Sequence, residues 1–504
     1  MPGGHTPAVW FPESEAAVAA ILANADPVLV VGAQSSLTGG ATPRGETVVS
    51  TARLGVIDGS ASDHVIVGPG VVLSDLAAAL ARSGRCYPPI PTYDGATVGG
   101  TVATNAAGAA TFKHGATRAW VRGLTVMLDD GGVLELVRGD VTASPEGHFE
   151  IVGCNGALRR VPIPSYRMPT VPKLAAGYFS SPGMDLVDLF IGAEGTLGVV
   201  TSIDLDVLRS PAASLVALVG CPDEMTALIL ADALRHAAAE ARRNLGGGID
   251  VAAIEYLDAR SIALVREDGD AERLGLTLAP TMRTALLVQV DLDAAATAEH
   301  AAAEIARVDD PTCDTPLVRL CRLLHRHGVL ATTIPALPGE HRRRDALFAL
   351  RESIPQAVNR RIATAQRTID ASLSKSGGDV IVPFDRIGVL LTEIRNLLDA
   401  SELDHAVWGH LSDGNLHPNV LPRCAADGER AHAAQLAIGS AAIALGGSPL
   451  SEHGVGRNPV KQELLRRLYG DTGITAMRAV KRALDPRGVF APGVLLTAPA
   501  ASHA

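Results

Sequence analysis

The chain has 504 residues, which is long enough for two or more domains that each bury a core of full size. Hydrophobic residues make up 47% and charged residues 19% of the sequence, a composition typical of globular proteins. The net charge is −10 and no cluster of lysine and arginine interleaves with aromatic residues, which argues against nucleic-acid binding.

The sequence also lacks targeting, membrane-spanning and iron–sulfur motifs, which bears on where the protein is expected to act. The N-terminus lacks the charged and apolar regions of a signal peptide, and no run approaches the roughly 18 apolar residues of a membrane helix. The six cysteines include no CxxC pair and no iron–sulfur spacing, so we expect them to be reduced, structural thiols. We therefore expect a cytoplasmic protein without integral membrane contact, and peripheral contact with a membrane stays open.

The first half of the chain alternates short strands with helices. The predicted elements are a helix over 13–25, a strand over 28–31, a glycine-rich loop over 32–40, strands over 48–50 and 64–70, and a helix over 73–84. A glycine-rich turn near 189–208 then runs into a strand. This pattern predicts a mixed α/β first half.

The composition changes near Pro211, where helix-rich sequence begins. Strand-like segments interrupt it, and the last helix is stopped by Asp485-Pro486. The elements predicted here are a helix over 225–244, strands over 214–220, 284–292 and 379–384, and a final helix over 474–490. Helices alternating with short strands predict an α+β second domain, so we place domains at 1–210 and 211–497.

Two segments of the first half have ligand-binding composition. In GAQSSLTGG (32–40), glycines let the backbone approach a ligand, and small hydroxyl side chains can donate to phosphate oxygens. The loop has neither the GxGxxG nor the GK[ST] pattern, and on its own a plain surface loop explains it equally well. The stretch 88–108 is long and rich in glycine, alanine and threonine, which is typical of a segment that lines an extended ligand or of a long irregular connection.

Four blocks in order carry a resemblance: GAQSSLTGG, ATVGGTVATNAAG, KHGATRAWVRGL and IGAEGTLGVVT. Together they resemble the FAD-binding domain of the vanillyl-alcohol oxidase and p-cresol methylhydroxylase (PCMH) superfamily, which implies a PCMH-type domain of two α/β subdomains. The resemblance implies that FAD is bound non-covalently, since His114, which lies in the third block, resembles a variant of the usual aromatic position. The implied FAD contacts are Gly32, Gln34, Ser35, Ser36, Leu37, Thr38, Gly39, Gly40, Pro91, Thr92, Thr97, Gly99, Gly100, Thr104, Asn105, Gly108, Glu194, Gly195, Thr196 and Gly198.

Two histidines flank a turn signal in the second half. If Asp413-Gly414 forms a two-residue hairpin turn, His410 pairs directly with His417, with Cβ atoms about 4.5–5.5 Å apart on one sheet face. Trp408 then pairs with Asn419 on that face. The arrangement suits a metal ion, and the alternative is a pair of structural histidines on a solvated hairpin.

A second polar pair, Glu452 and His453, lies in the glycine-flanked sequence SEHGVG (451–456). Adjacent residues of a strand point to opposite faces, whereas in an irregular turn both can face one cavity. A carboxylate added to two imidazoles leaves open coordination positions, as in catalytic zinc sites. A surface polar pair is the alternative.

GHLSDGNLHPN, SEHGVG and ALDPRGVFAPG (483–493) resemble the C-terminal domain of FAD-linked oxidases, the group of D-lactate dehydrogenase, the glycolate oxidase flavin subunit and D-2-hydroxyglutarate dehydrogenase. This implies an α+β substrate (cap) domain with an antiparallel sheet and a C-terminal helical segment. It also implies a metal held by His410, His417 and Glu452, with zinc favoured and manganese or iron open.

The resemblance further implies how the substrate is bound. Arg351, in LFALRESI, would meet a substrate carboxylate, with Lys375 and Asn419 as further contacts. The alternative for Arg351 is a helix-surface pair with Glu352. Gly377 stands where the group often has a lysine, so the substrate contacts depart from the family pattern here.

These residues predict an FAD-dependent dehydrogenase that oxidises a small D-2-hydroxy acid of the D-lactate, glycolate or D-2-hydroxyglutarate type to the 2-keto acid. The metal would chelate the substrate, His453 would act as general base, and hydride would pass to flavin N5. One alternative is the flavin subunit of a glycolate-oxidase-like complex, and another is a non-redox enzyme of the alkyl-dihydroxyacetone-phosphate synthase type. The electron acceptor (an electron-transfer flavoprotein, a quinone, a cytochrome or oxygen) and a homodimeric state stay open.

Overall fold

The computed structural model describes residues 3–25, 27–89, 91, 93–153, 156–211, 213–243, 247–293 and 296–497. Thr92, one of the expected FAD contacts, and Cys154 lie outside these ranges. The chain divides into two units, which we name the discontinuous unit (Met1–Ser210 with Gly446–Ala504) and the inserted unit (Pro211–Leu445). The division after Ser210 coincides with the composition change near Pro211, and the segment from Gly446 onward belongs with the N-terminal part of the chain.

The discontinuous unit contains two principal sheets. The first is parallel and has three strands, in the order Val9–Trp10, Thr47–Ser50 and Val28–Val31. The second is antiparallel and has five strands, in the order Ile57–Asp58, His64–Val67, Val199–Asp206, Val121–Met127 and Val133–Val137. Two-stranded pairs join His148–Val152 to Leu158–Pro162 and Arg85–Cys86 to Leu208–Arg209. These two principal sheets correspond to the two expected subdomains.

Helices cover these sheets and complete the core. The helices of this unit are Glu15–Asn24, Leu73–Ala81, Val98–Thr104, Thr111–His114, Leu186–Phe190 and Pro459–Leu484, with 3-10 turns at Thr51–Arg53 and Thr117–Trp120. The first helix begins where Ser14 accepts a hydrogen bond from the amide of Ala17. The last helix is broken at Gly470, whose φ of 70° interrupts the helical backbone.

The C-terminal segment of the discontinuous unit adds to its core and to its first sheet. Leu465, Met477, Val480 and Leu484 pack in the same hydrophobic cluster as residues of the five-stranded sheet. The amide of Val28 donates to Val489, and the amide of Ala491 donates back to Val28. Ala491 has a φ of 44°, a left-handed conformation that is uncommon for alanine.

The inserted unit is built on one antiparallel sheet of eight strands. The order is Thr333–Ala336, Ala213–Cys221, Thr284–Leu292, Val251–Leu257, Asp404–His410, Asn415–Leu421 and Ser376–Gly377, and Val380–Ile381 also pairs with Asn415–Leu421. Its helices are Glu224–Arg242, Ala259–Glu267, Asp270–Arg273, Ala298–Ile305, Pro316–Arg326, His341–Thr368, Ile387–Ala400 and Asp427–Ala444, with 3-10 turns at Leu330–Thr332, Phe384–Arg386 and Leu411–Asp413. The antiparallel sheet and flanking helices confirm the expected α+β architecture.

One predicted strand is much shorter than expected. The segment 379–384 was expected to be a strand throughout, whereas only Val380–Ile381 pairs as one. The chain turns into a 3-10 helix at Phe384 because Pro383 cannot donate a hydrogen bond to a neighbouring strand. The side chain of Asp379, at the start of this segment, is buried.

Candidate functional site

The glycine loop, residues 32–40, directly follows the strand Val28–Val31. The backbone amides of residues 33–37 donate to no acceptor within the described part of the chain, and Ala33, Gln34 and Ser35 are exposed. Gln34 has a left-handed φ of 54° and Gly39 one of 76°. Successive amides without internal partners around a left-handed residue form a concavity that binds anions, so this loop fits the pyrophosphate of FAD.

The second expected FAD segment begins against the glycine loop. A Cβ on Gly32 would lie 2.1 Å from Oγ1 of Thr97, so only glycine allows this approach. Thr97 caps the helix Val98–Thr104 by accepting a hydrogen bond from the amide of Gly100 at 3.3 Å. Asn105, with a φ of 48°, ends the helix. The backbone of this segment is close-packed, and Pro91 at its start is half-buried.

The closing turn, residues 194–198, joins the same helix. The amide of Glu194 donates to the carbonyl of Ala103 at 2.7 Å, and the hydroxyls of Thr196 and Tyr178 lie 2.8 Å apart. A Cβ on Gly198 would lie 2.7 Å from Cγ1 of Val126, which explains the glycine before the strand Val199–Asp206. Three blocks that are distant in sequence therefore meet in one unit, around a backbone suited to an extended cofactor.

The Glu194 carboxylate binds the backbone of residues 451–456, which we name the Glu-His loop. Its two oxygens accept hydrogen bonds from the amides of Val455 and Gly456, each at 2.8 Å. Burial raises the pKa of Glu194 to about 7, although both amide hydrogen bonds and the charge of Lys461 act to lower it. Glu194 was expected to close over the cofactor, and in the structure its carboxylate holds the backbone of this loop.

Arg457 fixes the end of the Glu-His loop. Its amide donates to the carbonyl of Thr38 at 3.0 Å, and its guanidinium donates to Thr42 at 2.8 Å and forms a buried ion pair with Glu46. A Cβ on Gly456 would lie 2.3 Å from Oγ1 of Thr38. The glycine loop, the closing turn and the Glu-His loop therefore form one hydrogen-bonded assembly within the discontinuous unit.

Glu452 and His453 face each other despite being adjacent in sequence. Oε1 of Glu452 lies 3.4 Å from Nε2 of His453, because Gly454 has a left-handed φ of 71° and the loop is irregular. Oε2 of Glu452 accepts a hydrogen bond from Nζ of Lys173 at 2.7 Å. The side chain of Lys173 is fully buried, that of Glu452 is 8% exposed and that of His453 is 28% exposed.

In the inserted unit, His410 and His417 lie together, but the predicted pairing was wrong. Trp408 pairs with His417 and Ala406 with Asn419, two residues away from the expected register. The connection includes the 3-10 turn Leu411–Asp413 followed by Gly414, and is therefore longer than a two-residue turn. A slip of two residues keeps every side chain on its face, since strand side chains alternate with a period of two. The imidazole centroids are 5.5 Å apart, with the rings nearly perpendicular.

Each of these histidines has a buried carboxylate at Nδ1. His410 Nδ1 forms a short hydrogen bond with Oε1 of Glu255, and His417 Nδ1 lies 3.6 Å from Oδ1 of Asp379. The Glu255 carboxylate fixes the ring and tautomer of His410 and leaves its Nε2 for a metal, and Asp379 places a buried carboxylate beside the ring of His417. Each histidine offers a ring nitrogen within 4.8 Å of one from the other. This donor set fits a divalent metal ion.

Arg351 completes a buried chain of charges behind His410. Its Nε donates to Oε2 of Glu255 at 2.8 Å, and its Nη1 donates to Oε1 of Glu352 at 2.9 Å. Burial alone would raise the pKa of Glu255, but the charges and hydrogen bonds of His410 and Arg351 prevail and lower it to about 2. Burial raises the pKa of Glu352 despite its contact with Arg351.

The other two expected substrate residues differ in burial. Asn419 is 3% exposed, and its Nδ2 donates to the carbonyl of His417 at 2.9 Å. Its Oδ1 accepts no hydrogen bond within the described part of the chain. A Cβ on Gly377 would lie 2.7 Å from this oxygen, so a side chain at 377 would displace Asn419. Lys375 is exposed, just before the strand Ser376–Gly377.

Sequence reasoning missed three charged residues beside the expected site: Glu255, Asp379 and Lys173. Glu255 carries a visible signal, because it is the one charged residue of the otherwise apolar strand Val251–Leu257. Asp379 precedes a short apolar run, and Lys173 lies in an irregular segment, so neither stands out in the sequence. His410 and His417 belong to the inserted unit, whereas Glu452 and His453 belong to the discontinuous unit.

Two known families match the chain, one in its N-terminal part and one in its C-terminal part. The family described as FAD linked oxidases, C-terminal domain, matches residues 222–495, and the FAD binding domain family matches residues 6–137. The chain belongs to the FAD-linked oxidase family and is an FAD-linked oxidoreductase. The resemblance drawn from its motifs is confirmed.

Relatives match over most of the chain. It is 27% identical to D-lactate dehydrogenase of Anaerostipes hadrus over 93% of its length and 84% of the relative's. It is 28% identical to mitochondrial D-2-hydroxyglutarate dehydrogenase of Bos taurus, over 92% and 71% of the two chains. It is 28% identical to glycolate oxidase subunit GlcD of Bacillus subtilis, over 85% and 74%.

Solved structures share the fold. An alkyldihydroxyacetonephosphate synthase superposes with a TM-score of 0.57 at 13% identity, covering 96% of this chain and 76% of the other. At this identity the likeness concerns the fold alone. Among the described residues, no helix combines the length and apolarity needed to cross a membrane.

Proposed function

We propose that the chain oxidises a small D-2-hydroxy acid to the 2-keto acid, using non-covalent FAD and a divalent metal held by His410, His417 and Glu452. The observation that carries the proposal is the pair of adjacent buried imidazoles, with His410 hydrogen-bonded at Nδ1 to Glu255 and His417 lying 3.6 Å from the Asp379 carboxylate. Histidine ligands of metals almost always have such partners. The named relatives act on D-lactate, D-2-hydroxyglutarate or glycolate, all of which are 2-hydroxy acids.

When bound, FAD supplies a hydride acceptor and the metal a Lewis acid that acidifies the α-hydroxyl of the substrate. His453 is the base that takes the hydroxyl proton at Nε2, the ring nitrogen that lies 3.4 Å from Oε1 of Glu452. Asn419 Oδ1 suits a hydroxyl donor because it accepts no hydrogen bond within the described residues. Arg351 and Lys375 are the contacts that we propose for the substrate carboxylate.

The substrate class is tested by an anaerobic spectral screen of the yellow holoenzyme against D- and L-2-hydroxy acids. We expect flavin bleaching by a D-2-hydroxy acid and much slower bleaching by its L-enantiomer. A flavin that no D-2-hydroxy acid bleaches would contradict the proposed function.

The metal assignment is tested by substituting both histidines in one variant, His410→Ala/His417→Ala. We expect metal content, measured by elemental analysis, to fall from near one equivalent to background while flavin content persists. His405→Ala is the matched control, because His405 lies on the same strand but on its other face. A parent protein without metal, or a double variant that retains it, would remove the metal from the proposal.

The base assignment is tested by His453→Ala. We expect kcat to fall by roughly 10²–10⁴-fold, because the α-hydroxyl loses its positioned proton acceptor. The flavin spectrum and metal content should stay at the parent level. An unchanged rate of flavin reduction in stopped-flow measurements would show that another group takes the proton.

A further inference from the structure

The buried side chain of Lys173 contacts a residue that the proposed function uses. Its Nζ lies 2.7 Å from Oε2 of Glu452, and the side chain is 0% exposed. Taking an ammonium and a carboxylate out of water is costly, and apolar residues of similar volume often stabilise a protein as well as a buried ion pair does. Stability alone therefore gives little reason for a lysine at this position.

The segment that carries Lys173 is fixed beside the Glu-His loop. The side-chain amide of Asn105 donates to the carbonyl of Leu174 at 3.0 Å. The amide of Ala175 donates to the carbonyl of Leu450, two residues before Glu452, at 3.3 Å. Lys173 thus meets Glu452 from a backbone that is hydrogen-bonded to both the expected FAD segment and the start of the loop.

The two oxygens of the Glu452 carboxylate have different neighbours. Oε2 accepts from Lys173, and Oε1 lies 3.4 Å from Nε2 of His453. A carboxylate held through one oxygen has a fixed plane and presents its other oxygen in one direction. Hydrogen bonds of this kind orient carboxylates that bind metals.

We propose that Lys173 is a positioning residue that holds Glu452 through Oε2, so that Oε1 is presented to the divalent metal beside His453. The inference rests on the proposed function, because it takes Glu452 as a metal ligand. Lys173 itself contacts neither metal nor substrate, and acts through the orientation of one carboxylate.

The test measures Zn²⁺ affinity of the flavin-loaded protein by competition with a chromophoric chelator. Lys173→Met keeps the length of the side chain and removes its charge and its donors. We expect the Kd for Zn²⁺ to rise about 10–100-fold, the usual effect of losing a partner of a metal ligand, with flavin content unchanged. We also expect kcat to fall more than KM rises. Arg159→Met is the matched control, since it removes a partly buried ion pair with Asp129 and Asp130 in the same unit and should leave the Kd unchanged.

A double-mutant cycle separates positioning from a general loss of structure. If Lys173 acts through Glu452, adding Lys173→Met to Glu452→Gln should change the Zn²⁺ affinity no further. Additive losses, or a parental Kd in Lys173→Met, would overturn the inference while leaving the metal assignment intact. If Lys173→Met loses its flavin, Lys173→Leu, which also removes the charge and the donors, replaces it in the cycle and is judged by the same outcomes. A parent protein that binds no Zn²⁺ and is unaffected by His410→Ala/His417→Ala would overturn the proposed metal site and this inference together.

Discussion

Glu255 is the residue through which the charges of the inserted unit are connected. It accepts from His410 through one oxygen and from Arg351 through the other, and all three side chains are buried. A carboxylate that accepts from both an imidazole and a guanidinium in a low-dielectric site matters chiefly through what its removal leaves behind. Replacing Glu255 by an uncharged residue removes the carboxylate that Arg351 and His410 share as an acceptor.

We expect Glu255→Gln to lower the free energy of unfolding by about 3 kcal/mol, because breaking a buried pair leaves an uncompensated charge. The Kd for Zn²⁺ should also rise about 10–100-fold, since His410 loses the carboxylate that orients it. Urea denaturation and chelator competition measure the two effects. Glu267→Gln is the control, because Glu267 is largely solvent-exposed and its ion pairs with Arg260 and Arg361 should contribute less than about 1 kcal/mol. Equal effects of the two variants on stability would contradict this account of Glu255.

At the scale of elements, the Glu-His loop is held by side chains that come from elsewhere in the chain. Glu194 binds the amides of Val455 and Gly456, and Lys173 binds Glu452. Because the loop is irregular, it has no regular pattern of backbone hydrogen bonds of its own to fix its conformation. Its geometry therefore depends on the closing turn and on the segment around Lys173.

The raised pKa of Glu194 gives a pH dependence with a definite sign. Its folded pKa of about 7 exceeds the ordinary value of 4.5, so between these values the folded protein binds more protons than the unfolded chain. The stability that Glu194 contributes is present below pH 4.5 and is lost as the pH rises through 7. We expect the difference in unfolding free energy between the parent and Glu194→Gln to shrink from pH 5 to pH 8. Denaturant titrations at saturating FAD measure it, with Glu135→Gln, an exposed glutamate, as control. A difference that is flat or grows over this interval would contradict the raised pKa.

The sequence predicted regular elements better than it predicted connections. Strands 28–31 and 284–292 were predicted with the observed bounds, because short segments dominated by aliphatic residues carry a strong local signal. The hairpin at 410–417 was placed two residues out of register, because Asp413-Gly414 does not reveal that Leu411–Asp413 forms a 3-10 turn. His410 and His417 still came together, since the error preserved the sheet face.

The partners of the candidate site were beyond local sequence reasoning. Glu255 and His410 are 155 residues apart, and Lys173 and Glu452 are 279 apart. No turn geometry or periodicity connects such positions, and only the sheet order and the chain's return to the discontinuous unit bring them together. The first pair requires the strands Val251–Leu257 and Asp404–His410 to be neighbours.

At the scale of the whole molecule, the unit that carries the expected FAD segments is made from both ends of the chain. Its hydrophobic cluster includes residues of the helix Pro459–Leu484, and Arg457 and Lys481 bind carbonyls of Thr42 and Thr196 respectively. The inserted unit interrupts it with one continuous segment, Pro211–Leu445. The N-terminal part alone therefore lacks part of its core and two of its cationic contacts.

We expect a fragment ending at Leu445 to lose FAD, because residues 457–491 complete the core and the loop contacts of the discontinuous unit. Co-expression of 446–504 as a separate chain should restore flavin content at least in part. Absorbance near 450 nm (a general property of oxidised flavin) after gel filtration measures both. A fragment 1–445 that retains a full complement of FAD would show that the C-terminal segment is dispensable for cofactor binding.

The discontinuity also has a consequence for biosynthesis. After Ser210 is added to the nascent chain, roughly 250 more residues must be added before Leu465, which takes about 13–50 s at typical elongation rates. During that time the strands of the first two sheets lack the apolar cover of Leu465, Met477 and Val480. The continuous segment 211–445 has no such delay, so the nascent chain can fold its middle before its beginning. Chaperone demand should accordingly fall on the N-terminal strands until the last helix emerges.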